Sequence, residues 1–216
     1  MPTTLHKPAG LPVFPPHDDP AGDCLLARLL RDQPWRRDIA WPQGFAGGIA
    51  HRLDNATSGA VLIADTLDEL NQLRRWFAEH RLTKRYLLLA AKDVAWDDNV
   101  CDKPIAHHPR RRNRMVVQRG QNTPHRGKWY PAQTHFVRLR GRLFQATIHS
   151  GVMHQIRVHA AFVGIPIQGD PLYGGGDAPE DAPAGVTVYL HHQGMTGPDG
   201  FMTDRVPDPA WIQLAG

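Results

Sequence analysis

Short apolar runs and amphipathic stretches alternate along this chain, and no segment repeats. Ala60-Val61-Leu62-Ile63-Ala64 and Tyr86-Leu87-Leu88-Leu89-Ala90-Ala91 are unbroken apolar runs of strand length, the pattern of buried strands. Leu25, Leu26, Leu29 and Leu30 recur at helical spacing, and Asp23 just ahead of them predicts a capped helix ending near Pro34. Thr66 and Glu69 form a capping-box pattern before Leu67, Leu70, Leu73 and Phe77, which predicts a second helix with those four on its packed face. Thr134–Leu139 and Leu143–Ile148 read as two strands of a hairpin turning at Arg140-Gly141-Arg142. His154 to Phe162 predicts a third helix, stopped by Gly164 and Pro166. The Pro- and Gly-rich stretches 8–20, 103–131 and 170–185 read as functional surface loops. The expected fold class is α+β, a mixed and mostly antiparallel central sheet with flanking helices and loops, in a single domain over residues 1–216.

Composition narrows the function classes. A chain of 216 residues, 41% hydrophobic, buries a sizeable core. No apolar run approaches the roughly 20 residues that cross a bilayer, and Met1-Pro2-Thr3-Thr4-Leu5-His6 has no signal-peptide core, so a cytoplasmic location is expected. Cys24 and Cys101 are far apart and form no Cys-x-x-Cys pair, which points to packing rather than to a disulfide framework or a cysteine zinc site. The 13 histidines include the pairs His107-His108 and His191-His192, but no His-Glu-x-x-His pattern is present, and no metal site is expected. A serine hydrolase would need a Gly-x-Ser-x-Gly elbow, which the chain lacks.

The net charge of +4 matters for its placement. Arg110, Arg111, Arg112 and Arg114 fall close together, with Arg119, Arg126 and Lys128 soon after, interleaved with His107, His108, Asn113, Gln118, Gln121, Asn122 and Trp129. On composition this is either a solvated loop or a surface that binds phosphates, hydrogen-bonds bases and stacks on them. His51-Arg52-Leu53-Asp54-Asn55-Ala56-Thr57-Ser58-Gly59 sets a lone carboxylate on a small-residue turn ahead of a buried strand. By pattern alone Asp54 is a turn residue, a cap or a catalyst.

That segment resembles the signature of the RluA-like pseudouridine synthases, His-Arg-Leu-Asp, two variable residues, then Thr-Ser-Gly. Further similar segments follow in the family's order: Lys84-Arg85-Tyr86, Asp102-Lys103-Pro104-Ile105, and Gly151-Val152-Met153-His154-Gln155-Ile156-Arg157-Val158-His159. Gly164 to Asp170 with Leu172-Tyr173-Gly174, the opening His6-Lys7-Pro8-Ala9-Gly10-Leu11, and Leu190-His191 with Thr196-Gly197 extend the likeness from about residue 6 to about residue 211. The resemblance implies the synthase catalytic fold with an active-site cleft, and isomerisation of uridines in ribosomal or transfer RNA without any cofactor. By resemblance, Asp54 is the essential carboxylate, Tyr86 the acceptor of the C5 proton and Arg157 the charge partner of Asp54. On pattern alone Tyr86 is a core residue and Arg157 an ordinary helix ion-pair residue.

A uridine stacked in a stem-loop must be flipped out before its C1′ and C5 can be reached. In an extended loop residues 52 and 54 project to the same side, so Arg52 is placed to fill the space left by the base while Asp54 meets the sugar. His51 and Lys84 are further candidate RNA contacts, Lys84 equally a contact to the site's backbone or a solvated lysine. His154 either touches RNA phosphate or, with Gln155, orients the third-motif loop. The arginines Arg110, Arg111, Arg112 and Arg114 complete the candidate RNA-binding set.

Two departures stand out. Val152 occupies a position where the family commonly has Arg or Lys, and the chain begins almost at its Lys-Pro segment, so no S4-type RNA-binding domain is expected. The expected partner is a structured RNA, a ribosomal or transfer RNA stem-loop, bound by a monomer with no obligate protein partner and no membrane. The alternative in another class is a non-catalytic RNA-binding or RNA-folding protein on the same fold. Which RNA is modified, and whether Asp54 adds to C6, attacks C1′ or abstracts the 2′ proton, stays open because all three routes use one carboxylate.

Overall fold

The computed structural model describes residues 2–215. Along the chain run β1 (Thr3–Lys7), α1 (Leu25–Asp32), β2 (Ser58–Ile63), α2 (Leu67–Ala78), β3 (Thr83–Leu89), β4 (Asp98–Cys101), β5 (Ile105–His107), β6 (Met115–Val117), β7 (Arg126–Tyr130), β8 (Thr134–Arg140), β9 (Leu143–Ile148), α3 (Gln155–Phe162) and β10 (Leu190–Thr196), with short 3-10 turns between them. The mixed α+β fold class is as expected. The chain divides into two compact units, one made of the residues up to Thr83 with His191–Pro209, the other of Lys84–Leu190 with the residues from Ala210 onward.

In the first unit β1 pairs antiparallel and β10 parallel with β2. Every residue of β2 is buried, and from Ala60 to Ile63 its sequence is an unbroken apolar run rather than an alternation. Gly59 sits in β2 at φ +121, and a Cβ there would meet the His192 carbonyl oxygen at 2.1 Å, so only glycine permits this close approach of two backbones. α2 begins as its capping pattern predicts: Thr66 Oγ1 accepts from the Glu69 N–H at 3.2 Å, and the Glu69 carboxylate accepts from the Asp65 N–H at 2.9 Å. Leu70 and Leu73 are fully buried with Leu62, Leu82 and Met195, each side chain contributing about 2 kcal/mol of apolar burial. Leu67 departs from the expected packed face and is exposed.

α1 corrects the expected cap. Cys24, not Asp23, is the N-cap residue, its Sγ accepting from the Ala27 N–H at 3.3 Å, while the Asp23 carboxylate takes the Arg28 guanidinium. A thiol is a weak acceptor, and Cys24 holds the position because it is buried, whereas the carboxylate gains more from solvent and a cation.

In the second unit β3, β9, β8 and β4 form consecutive antiparallel pairs, with Tyr86 opposite Ala146 and Phe136 also opposite Ala146. The β8–β9 hairpin turns where the sequence predicts, at Gly141. Residues 103–131 are not an irregular loop. They contain β5, β6 and β7, a small antiparallel sheet in the order β6-β5-β7. Three-residue strands such as Met115-Val116-Val117 give too little periodicity to register, and the surrounding Arg, Pro and Gly masked them. Their buried face, Ile105, Met115 and Val117, packs with Val158 of α3 and Tyr173, and Val152 packs half-buried against the same cluster. The neutral side chain in place of a basic one is therefore part of this core.

Candidate functional site

In the first unit the Asp54 loop is built by backbone contacts. Leu53 is buried while Arg52 is exposed and Asp54 half-buried, the alternation of an extended segment. The chain then turns, the Thr57 N–H donating to the Asp54 carbonyl at 3.0 Å. The Asn55 carbonyl inside this turn accepts twice, from the Gly10 N–H at 2.8 Å and from Lys7 Nζ at 3.0 Å. Lys7 Nζ also donates to the carbonyls of Leu11 at 2.7 Å and Pro8 at 2.9 Å, so one fully buried ammonium ties three carbonyls around the loop. Burial brings the Lys7 pKa down to about 8, and the charge of Asp54 opposes that fall.

Three histidines of this unit, His51, His191 and His192, pack inward. His51 Nε2 accepts from the Leu62 N–H at 3.1 Å, and its ring packs against those of Phe77 and His192. His51 thereby fastens the start of the loop to β2. Ser58 Oγ lies 2.9 Å from His191 Nδ1, both buried, which fastens its end to β10.

In the second unit Lys84 and Tyr86, two apart on β3, share one face of the strand and are both buried. Lys84 Nζ donates to the Ser150 carbonyl at 2.8 Å, and burial lowers its pKa to about 8. Lys84 is thus a contact to the third motif's backbone and not a solvated lysine. Gln155 fixes the rest of that motif: its Oε1 accepts from Ser150 Oγ at 2.8 Å and the Val152 N–H at 3.2 Å, and its Nε2 donates to the Gln133 carbonyl at 2.9 Å. Deeper in, His159 Nε2 donates to the Lys103 carbonyl and its Nδ1 accepts from Thr134 Oγ1.

Arg157 is buried on α3 and grips Asp170 with two bonds, Nε to Oδ2 at 2.7 Å and Nη2 to Oδ1 at 2.8 Å. This fork fixes the plane of the guanidinium. Tyr173 lies against it, its ring centroid 5.3 Å from Arg157 Cζ. The Tyr173 hydroxyl accepts from the Met115 N–H at 2.8 Å and lies 2.9 Å from His154 Nδ1. Burial raises that phenol to about 12, which keeps it neutral. His154 is not a helical residue as expected; it is the left-handed N-cap, at φ 55, and so does not share a helix face with Arg157. Its bond to Tyr173 holds the ring, and the chain must turn sharply there to enter α3.

Of the candidate arginines, Arg110 and Arg114 border a groove of the small sheet, and Arg111 and Arg112 are exposed on the same β5–β6 connection. Sequence reasoning gave no role to Lys7, Asp170 or Tyr173. A buried arginine requires a buried acid, and Gly169-Asp170 after the apolar Ile165-Pro166-Ile167 was the available signal for Asp170. Among the described residues no cluster of three or more His, Cys, Asp or Glu is arranged to hold a metal ion, and no helix is long and apolar enough to cross a membrane.

An α+β fold with a carboxylate loop clamped by a buried lysine and a buried arginine–aspartate fork defines a class of protein that comparison makes specific. Residues 3–162 match the family model of RNA pseudouridylate synthases, and the chain belongs to that family. Curated relatives include the ribosomal large subunit pseudouridine synthase D of Nitrosomonas europaea, 34% identical over 196 residues, covering 88% of this chain and 52% of the relative. The protein of the same name from Xanthomonas campestris is 36% identical over 176 residues, covering 79% of this chain and 48% of the relative. The chain spans about half the length of these relatives. Among solved structures, human RNA pseudouridylate synthase domain containing 1 superposes with a TM-score of 0.70 at 25% identity, covering 88% of this chain and 76% of the other. Human RNA pseudouridylate synthase domain containing 4 shares the fold, with a TM-score of 0.72 at 21% identity over 99% of this chain and 88% of the other.

Proposed function

We propose that this chain isomerises a specific uridine to pseudouridine in a stem-loop of large-subunit ribosomal RNA, acting as a monomer. Membership of the family supports the reaction, and the names of the curated relatives support the ribosomal substrate. The observation that carries the reading is the loop of Asp54, whose signature residues are held by Lys7 and Gly10 through the Asn55 carbonyl.

The reaction breaks the N1–C1′ bond, rotates the held uracil and joins C5 to C1′; the C5 proton leaves and N1 gains one. No electrons are exchanged, so the residues themselves suffice. Asp54 is the essential carboxylate at the sugar. Tyr86 is the acceptor of the C5 proton, and Arg157, held in plane by Asp170, is the charge partner of Asp54. Arg52, exposed beside Asp54, fills the gap left by the flipped uridine. Lys84 and His154 support the motif that faces the RNA, and Arg110, Arg111, Arg112 and Arg114 contact its phosphates.

The test is carbodiimide mapping of pseudouridine in total RNA from cells with the gene, without it, and without it but supplied with Asp54→Asn. One ribosomal site is expected to vanish in both mutant strains. If no site is lost while the purified chain still binds RNA, the chain is a non-catalytic RNA-binding protein.

A further inference from the structure

The small sheet and the end of α3 enclose an open groove of about 690 Å³, within the range that takes a nucleotide-sized ligand. Its apolar lining includes Val158, Ala161 and Phe162 of α3 and Val116 of β6. Its polar lining includes Arg110, Arg114 and Arg119, and none of the lining residues is acidic. Phe162, the last residue of α3, is 36% exposed, and the Arg119 guanidinium carbon lies 5.9 Å from its ring centroid. Arg114 lies 5.6 Å from the centroid of Tyr173, another lining residue.

The turns that carry Arg110 and Arg119 are fixed through their backbone. His108 Nδ1 accepts from the backbone N–H groups of Arg110 and Arg111, both at 3.1 Å, which fixes the β5–β6 turn. Thr123 Oγ1 accepts from the N–H groups of Arg119 at 2.9 Å and Gly120 at 3.0 Å, which fixes the turn after β6. Loops fixed by their own hydrogen bonds lose less entropy on binding than loose basic loops.

A phosphate alone would need the arginines but not the apolar floor. An A-form duplex would present phosphates and 2′-hydroxyls, with its bases stacked out of reach of Phe162. An unpaired nucleotide matches both halves of the groove, its base on the exposed aromatic ring and its phosphates on the arginines. We propose that this groove binds an unpaired nucleotide of the RNA, additional to the target uridine, by stacking on Phe162 between Arg110, Arg114 and Arg119. The identity of the polymer rests on the function proposed above; the preference for single strands rests on the groove.

The experiment is fluorescence anisotropy of the full chain with a labelled oligo(A) hexanucleotide and with a short RNA duplex, at one fixed salt concentration. Phe162→Leu, which keeps the apolar packing and removes the ring, is expected to weaken hexanucleotide binding about tenfold and duplex binding by less than about twofold. Arg119→Ala weakens the hexanucleotide as well. The inference is overturned if wild-type protein does not bind the hexanucleotide, if Phe162→Leu and Phe162→Ala both leave that affinity unchanged, or if either variant weakens strand and duplex alike. Wild-type protein that selects the single strand through Phe162 yet forms no pseudouridine sinks the proposed activity and leaves the groove standing. Pseudouridine formation with no Phe162 effect does the reverse.

Discussion

Arg157 and Asp170 are joined by a two-bond fork inside the second unit, with the carboxylate fully buried and the guanidinium nearly so. Taking two charges out of water is costly, and the interior compensates only when their geometry is near ideal. The pair also sets the orientation of the one cation on α3 that the family signature ties to the reaction.

Replacing Asp170 with Asn leaves Arg157 buried without its counter-charge. Unfolding in urea should show a loss of about 3–5 kcal/mol. The double variant Arg157→Met, Asp170→Leu removes both charges and should regain most of that stability while pseudouridine formation stays lost. Recovery of turnover in the double variant would show that the guanidinium has no part in the chemistry.

Lys7 acts through the carbonyl groups around the Asp54 turn. Lys7→Met is expected to lower the single-turnover rate about 10–100-fold, by loosening the carboxylate's loop, with RNA affinity changed less than about threefold. An unaltered rate, measured with the mapped RNA stem-loop, would assign Lys7 to stability alone.

His159 and His191 are buried, and desolvation pulls each from an ordinary 6.5 to about 4. In the unfolded chain both gain a proton near pH 6.5, so between pH 6.5 and 4 the unfolded state binds more protons and is favoured. Stability is therefore full above pH 6.5 and falls as pH drops toward 4, by up to about 3 kcal/mol per histidine. Urea midpoints at pH 7.5, 6.0, 5.0 and 4.5 should fall in step, and His159→Gln should flatten the slope. A profile identical in that variant would remove His159 as a cause.

Much of the fold was legible because its signals are local. The cap of α2 needs only Thr66 and Glu69, three residues apart, and the β8–β9 hairpin needs only two alternating runs about Gly141. The Asp54 loop was legible too, since its signature is contiguous. Cys24 as a cap was not, because capping preference ranks Asp above a thiol and only burial reverses that order. The left-handed turn at His154 escaped notice for a similar reason: its side chain earns that conformation through Tyr173, 19 residues on.

By itself the sequence determined the longer strands and helices, most of their apolar faces and which motifs the chain carries, since these depend on neighbours within a few residues, but not the short strands between residues 103 and 131. Tertiary structure alone decided that Lys7 clamps a carbonyl 48 residues away, that Arg157 takes Asp170, and that Tyr173 bonds to His154. Such contacts form only once folding has removed water from both partners. At that point a buried charge or hydroxyl must bond to whatever group the fold sets beside it.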